Sequence, residues 1–465
     1  MSDPSTSDSG APGTGTAPGS DALGRGLKVR HLTMMGLGSA IGAGLFLGTG
    51  VGIATAGPAV LLSYVLAGLA VVFIMRMLGE MGSALPSTGS FAEYARLGVG
   101  NWAGFVVGWL YWFMLVMVLG AEITGASAIV SNWLPDVPQW VAALVFVSFF
   151  AVVNLARVAN FGEFEFWFAA IKVAVIIGFI LLGALLVFGL LPNTEPVGFT
   201  NLLGDGGFMP NGFAGVAAGL LVVAFAFGGI EIVTIAAAES HDPRRAIATA
   251  VRSVVWRIGV FYLGSVLIMV LVLPWEGADE GNGPFVAVLE RANLPGVAGF
   301  MELVVVIALL SAFNANIYAT SRMAFSLSRR GDGPKIMTQL SRSGVPRNAV
   351  LLSVFFGFVS VLLNWWLPDQ LLGILLNAVG AALLVVWTFI IVSHIRLRPR
   401  LEREGALRVK MWLFPWLSYL TLAMLAAFVV LMMFDTTARQ QLIATAGLCV
   451  LLGAIYVVRR RLRRS

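Results

Sequence analysis

From Leu32 to Val458 the chain alternates long apolar runs with short polar connections. Apolar runs of about 18 residues or more recur almost to the end, each long enough to cross the hydrocarbon of a bilayer as one helix. The pattern predicts twelve spans, at 32–56, 58–81, 102–131, 140–155, 164–188, 212–237, 254–273, 297–325, 349–367, 371–395, 411–434 and 442–458. The boundary between the first two rests on the Gly57-Pro58 pair. The expected fold class is therefore an all-α polytopic membrane protein.

Two spans are interrupted. Gly36 to Gly52 carries seven glycines (Gly36, Gly38, Gly42, Gly44, Gly48, Gly50 and Gly52), and Gly228-Gly229 breaks the sixth span. Backbone in hydrocarbon must satisfy its own hydrogen bonds, so an unwound stretch is tolerated only where it is buried in protein or lines a polar cavity. Interrupted helices at matching places in two halves mark a site for a small solute. Close helix packing through small residues is the alternative reading, since Gly38, Gly42 and Gly50 share the spacing for it. If spans one to five and six to ten are repeats, an odd number of crossings inverts the second copy. The expected divisions are a cytoplasmic tail at 1–24, a transmembrane domain at 25–459 with repeats at 32–190 and 212–395, two peripheral helices within 411–458, and a basic tail at 460–465.

Composition agrees: 58% of residues are hydrophobic, 12% are charged and the mean hydropathy is +0.89. Charge sets the orientation. With the N-terminus inside, all but Arg291, Arg439 and Lys172 of the 30 Lys and Arg fall on or near the cytoplasmic side. Asp136, Glu195, Asp205, Glu276, Asp279 and Glu280 fall outside. The net charge of +6 thus reflects topology, and no nucleic-acid partner is indicated. The run from Arg459 to Arg464 reads as an anchor facing anionic lipid. Residues 1–24, rich in Ser, Gly, Thr, Pro and Asp, read as disordered, and no cleaved signal peptide is expected. The single Cys449 excludes an intrachain disulfide or a cysteine metal cluster.

The half-helix after Gly42-Ala43-Gly44 offers backbone N–H groups suited to a carboxylate. Carbonyls freed around Phe225-Ala226-Phe227-Gly228, with those ending the first half-helix, suit an ammonium group. A zwitterion fits both. Candidate binding residues are Ser39, Ala40, Gly42, Ala43 and Gly44 in the first span, and Phe225, Phe227 and Gly228 in the sixth.

Three ionisable residues fall inside spans, where charge costs at least ~2.5 to 3.5 kcal/mol at the centre. Lys172 lies about 13 Å into the fifth span, beyond the ~6 Å that snorkelling covers. Glu122 lies ~15 Å from the outer end of the third, near the midplane. Glu231 directly follows the sixth-span break. Lys172, Glu122 and Glu231 are the candidates for proton coupling or gating, with a structural hydrogen bond as the other reading of the two acids. On the eighth span Ser311, Asn314 and Tyr318 share one face, with Asn316 nearly opposite. That face, and Asn377 in the tenth span, either lines a cavity or makes ordinary interhelical hydrogen bonds. Trp102, Trp109, Tyr111, Trp112, Trp133 and Trp140 read chiefly as interface anchors. His31, His241 and His394 fall at cytoplasmic edges, read as surface residues, and have no metal-ligand spacing.

Several blocks in order carry a resemblance. They are Gly38-Ser39-Ala40-Ile41-Gly42-Ala43-Gly44-Leu45-Phe46, then Ala56-Gly57-Pro58 with Gly79-Glu80, then Pro86-Ser87-Thr88-Gly89-Ser90-Phe91 with Tyr94-Ala95. Further along come Phe227-Gly228-Gly229-Ile230-Glu231, Glu239 with Asp242-Pro243-Arg244-Arg245-Ala246-Ile247, and Ile317-Tyr318-Ala319-Thr320-Ser321-Arg322 through Gly344-Val345-Pro346. Together they resemble bacterial amino acid permeases of the amino acid, polyamine and organocation superfamily, in its amino acid transporter branch. The resemblance implies a LeuT-like 5+5 inverted repeat plus two helices, and uptake of an amino acid by alternating access. It implies a proton in place of sodium, because a lysine at the position of Lys172 takes the sodium site of sodium-coupled relatives. The implied partners are a small amino acid and the bilayer, with a proton gradient for energy and no cofactor or metal. Asn316 departs from the family, which has a glycine or another small residue there, and is read as narrowing the cavity or contacting substrate. Exchange of amino acids or polyamines, and a non-transporting nutrient sensor, are the alternatives. An enzyme is not expected, since no nucleophile–base pair, metal constellation or phosphate loop is present.

Overall fold

The computed structural model describes residues 41–462, apart from 88, 157, 193, 205, 233, 235–241, 277–282, 342–343 and 369. The expected tail at 1–24, Ser39, Ala40, His31, His241 and the start of the first span lie outside the described residues. Every regular element among the described residues is helical.

The chain enters through a π turn at Gly44–Gly48 and continues as α1 (Thr49–Ala56). Gly57, with φ of 65°, turns the chain, and Pro58 opens a 3-10 turn that leads into α2 (Val60–Ala84). The break expected at Gly57-Pro58 is therefore a sharp bend within one long helical run. A short amphipathic helix α3 (Ser90–Gly98) follows, then α4 (Asn101–Trp133), α5 (Gln139–Ala156) and α6 (Val158–Val187). The next helix, α7 (Gly212–Ala226), stops well short of the expected residue 237.

After it come α8 (Pro243–Arg257), a π segment at Ile258–Gly264 and α9 (Ser265–Val272), which run on from one another. This run starts eleven residues before the expected 254, because Asp242 caps it: its carboxylate accepts the Arg245 N–H at 3.1 Å, and Pro243 fits the first turn. Besides short helices at Thr200–Leu203 and Pro284–Glu290, the further helices are α10 (Val297–Arg329), α11 (Arg347–Trp366), α12 (Leu371–Arg403), α13 (Trp416–Met432) and α14 (Thr436–Leu462). Among the described residues eight helical runs are long and apolar enough to cross a membrane by length and composition, and α5, α7 and α13 are shorter apolar helices.

At the centre α4 and α10, each of 33 residues, pack antiparallel. Their pairing is fixed at both ends by tryptophans. Trp133 Nε1 donates to Glu302 Oε2 at 2.5 Å, and Trp109 Nε1 donates to the Asp332 carbonyl at 3.0 Å. The two helices are buried along nearly their whole length, which only a protein-lined interior allows. By contrast α14 buries only Ala438 and Thr445 among its described side chains. Its exposed Ile443, Val450, Leu451, Ile455 and Val458 are stable facing lipid, where apolar exposure carries no hydration cost. The helix runs to Leu462 and carries Arg459, Arg460 and Arg461 in its last turn.

Candidate functional site

The interruption of the sixth span is visible in the backbone, and the described part of the first span opens on bent residues. The α7 ladder ends with Gly228 N–H donating to the Phe225 carbonyl at 2.8 Å, and residues 227–231 turn. Gly229 has φ of +93°, a conformation that a side chain would strain. In the first helix Ile41 and Gly42 are bent, and the Gly42 carbonyl accepts from both Leu45 N–H (3.2 Å) and Phe46 N–H (3.1 Å). The Ala43 N–H turns out of the ladder and donates to Glu122 Oε2 at 3.0 Å.

The two segments face each other in direct contact. A Cβ on Gly44 would lie 2.5 Å from the Ala226 Cα and 3.0 Å from the Phe225 ring, so only hydrogen at this position lets the backbones meet. Between them is a small cavity of about 20 Å³, room for roughly one water molecule. Its wall comes from Gly42 and Gly44, from Met114, Leu115, Val118 and Glu122 of α4, from Phe225, Ala226, Gly228 and Gly229, and from Asn316 of α10.

The predicted residues are distributed unevenly about this cavity. Gly42, Gly44, Phe225, Gly228 and Glu122 line it, and Ala43 supplies its N–H to Glu122. Phe227 does not line it. Its fully buried ring packs instead on Tyr64 (centroids 5.8 Å apart) and Tyr262 (4.7 Å), against the π segment. Lys172 is fully buried, and its charge acts on Glu122. Glu231 sits at the end of the turn, 1% exposed, facing Tyr111. Glu231 Oε1 and Tyr111 Oη each lack a hydrogen bond among the described residues. Tyr111 is therefore a core residue rather than an interface anchor, as is Trp112, while Trp102 and Trp133 remain exposed.

On α10 the two readings of the polar residues separate: Asn314 makes an interhelical hydrogen bond, accepting from Asn154 Nδ2 at 2.7 Å, while Asn316 lines the cavity. Neighbours decide this: a Cβ on Gly42 would meet Ala312 at 3.1 Å, and Asn316 lies one turn beyond Ala312 on the same face. Met114, Leu115, Val118 and Gly229 were missed as lining residues. The first three were within reach, because stepping back from Glu122 by four, seven and eight residues stays on one helix face.

A second buried polar cluster lies away from the cavity. Glu80, fully buried, accepts from Arg398 Nη1 (2.8 Å) and from the Met411 N–H (2.5 Å), and His394 Nε2 stands 3.3 Å from its other oxygen. The segment 411–415 thus folds inward and is not helical, which is why α13 starts at Trp416 and not at the expected 411. His394, expected at the surface, is fully buried under Phe414 and beside Ser418 Oγ (3.3 Å).

A helix break at 227–231 packed against the bent start of the described first helix, inside an all-helical bundle with exposed apolar faces, fits a membrane transporter. The fold is similar to that of a crystal structure of a manganese transporter from Eremococcus coleocola in complex with an aromatic bis-isothiourea substituted compound, with a TM-score of 0.54, 14% identity and 92% of each chain covered. The chain belongs to the amino acid permease family, whose model matches residues 31–465. It is 59% identical over 449 residues to the aromatic amino acid transport protein AroP of Corynebacterium glutamicum, covering 95% of this chain and 97% of that one. It is 44% identical over 441 residues to the gamma-aminobutyric acid permease of Bacillus subtilis, covering 94% of each. It is a multi-pass plasma-membrane protein that transports an amino acid, and not an enzyme.

Proposed function

We propose that the chain imports an aromatic amino acid together with a proton by alternating access, with both termini cytoplasmic. The observation that carries this reading is the hydrogen bond from Ala43 N–H to Glu122, made at the bent start of the described first helix and on the wall of the cavity. In the empty site Glu122 holds the N–H group that suits a substrate carboxylate. A proton on Glu122 weakens that hold and releases the N–H, so proton and substrate load together. Lys172 supplies a buried counter-charge. When both ligands leave on the far side, Glu122 returns to Ala43 and closes the empty site. The substrate's ammonium group goes to the carbonyl side of the Phe225–Gly228 turn.

The class of side chain follows from the rest of the wall. Met114, Leu115, Val118 and Phe225 present apolar surface, with a flexible thioether that adapts to aromatic rings. The name of the relative at 59% identity agrees with an aromatic substrate. γ-Aminobutyrate has no side chain to cover this surface.

Uptake of labelled phenylalanine, tryptophan and tyrosine into proteoliposomes tests the reading. Uptake driven by an inward proton gradient, and loss of that dependence in Lys172→Ala, is the expected result. A requirement for amino acid inside the vesicle would establish exchange instead. Binding without uptake or exchange would establish a sensor.

A further inference from the structure

The α4–α10 pair gives the cavity a direction. Ala312 and Glu122 both abut Gly42, which places them at one level. One turn toward the N-terminus of α4 leads from Glu122 to Val118, and one turn toward the C-terminus of α10 leads from Ala312 to Asn316. Because the helices are antiparallel, both steps run the same way, about 6 Å from the head-group end. Beyond Glu122 the α4 wall is Val118, Leu115 and Met114, all apolar. Asn316 is the polar side chain on the opposite wall.

Asn316 is 3% exposed, and its Oδ1 has no hydrogen-bond partner among the described residues. Asn314, two positions earlier, is satisfied by Asn154. A buried amide oxygen without a partner is costly and calls for a ligand that completes it. That oxygen accepts hydrogen bonds, and it lies where a substrate side chain passes after its carboxylate docks at Ala43.

We propose that Asn316 determines specificity by accepting a hydrogen bond from the substrate's side chain, so that aromatic amino acids with a ring donor, tryptophan or tyrosine, are selected over phenylalanine. This rests on the aromatic reading above. Phenylalanine fills the same apolar wall but leaves the Asn316 oxygen unmatched. A site built around a buried polar group discriminates against a ligand that lacks the complement.

The test is competition against labelled phenylalanine uptake in proteoliposomes, using tryptophan and its benzothienyl analogue, in which sulfur replaces the ring N–H. In the wild-type protein tryptophan should compete about tenfold more strongly than the analogue. In Asn316→Leu the two should compete equally, with folding of the variant checked separately by thermal unfolding in detergent. Equal competition in the wild-type protein overturns the role of Asn316 whether or not the variant folds, and so does an unchanged ratio in Asn316→Leu. Absence of wild-type uptake of all three aromatic amino acids is a different outcome, which overturns the aromatic reading itself and this inference with it.

Discussion

The Ala43 N–H donates to the Glu122 carboxylate at 3.0 Å, so an acid of the third expected span holds the bent end of the first. Glu122→Gln keeps an acceptor for that N–H but cannot carry a proton. It is expected to bind substrate within a few-fold of the wild-type affinity while losing proton-driven accumulation. Glu122→Ala removes the acceptor as well, which leaves the Ala43 N–H free, and should bind substrate at least as tightly as the wild type while also losing proton-driven accumulation. Binding titration and uptake, measured on the same preparations, separate the two effects.

Gly44 is where the two segments meet. Gly44→Ala forces its Cβ against the Ala226 backbone, an overpacking expected to cost about 1–3 kcal/mol and most of the uptake. Gly453→Ala on α14, where nothing lies within 4 Å, should change neither. Thermal unfolding in detergent with parallel uptake assays checks both.

Glu80 and Arg398 form an ion pair whose removal from one side strands a buried charge. Glu80→Leu or Arg398→Leu alone should destabilise by about 3–5 kcal/mol, and the double variant by much less than the sum. A double-mutant cycle of unfolding free energies measures the difference.

Glu93 on α3 is paired with Arg96 and with Arg330 at the end of α10 (Nη1 to Oε2, 3.0 Å). Partial burial alone would raise its carboxyl, but the two guanidinium groups outweigh this and hold it below the usual range. A lowered folded-state value stabilises above the unfolded-state value of about 4.3, and the contribution disappears as pH falls through the folded value. Glu93→Gln should therefore cost about 1 kcal/mol at pH 7, with the difference from wild type shrinking progressively below pH 4. Unfolding temperatures across that range check the sign.

The break of the sixth span was legible in the sequence because it is a backbone event, and Gly228-Gly229 writes it into composition. Glu122 and Lys172 were legible for a related reason: a charge at that depth has few places to go. What escaped was set by contacts between distant segments. The face of α10 turned to the cavity depends on Ala312 meeting Gly42, so a helical wheel alone left open whether Asn314, whose partner is Asn154 on α5, lined a cavity or bonded a neighbouring helix. Phe227 sits beside the break in sequence, yet Tyr64 and Tyr262 draw its ring away. His394 was assigned to the surface by its position near a helix end, whereas Phe414 and Glu80 enclose it.

The most direct test is an experimental structure of the protein with tryptophan bound. The account predicts the amino acid between Gly42–Gly44 and Phe225–Gly228, its carboxylate on the Ala43 N–H in place of Glu122, and its ring against Leu115 and Val118. Tryptophan bound elsewhere, with the bond from Ala43 to Glu122 intact, would contradict it.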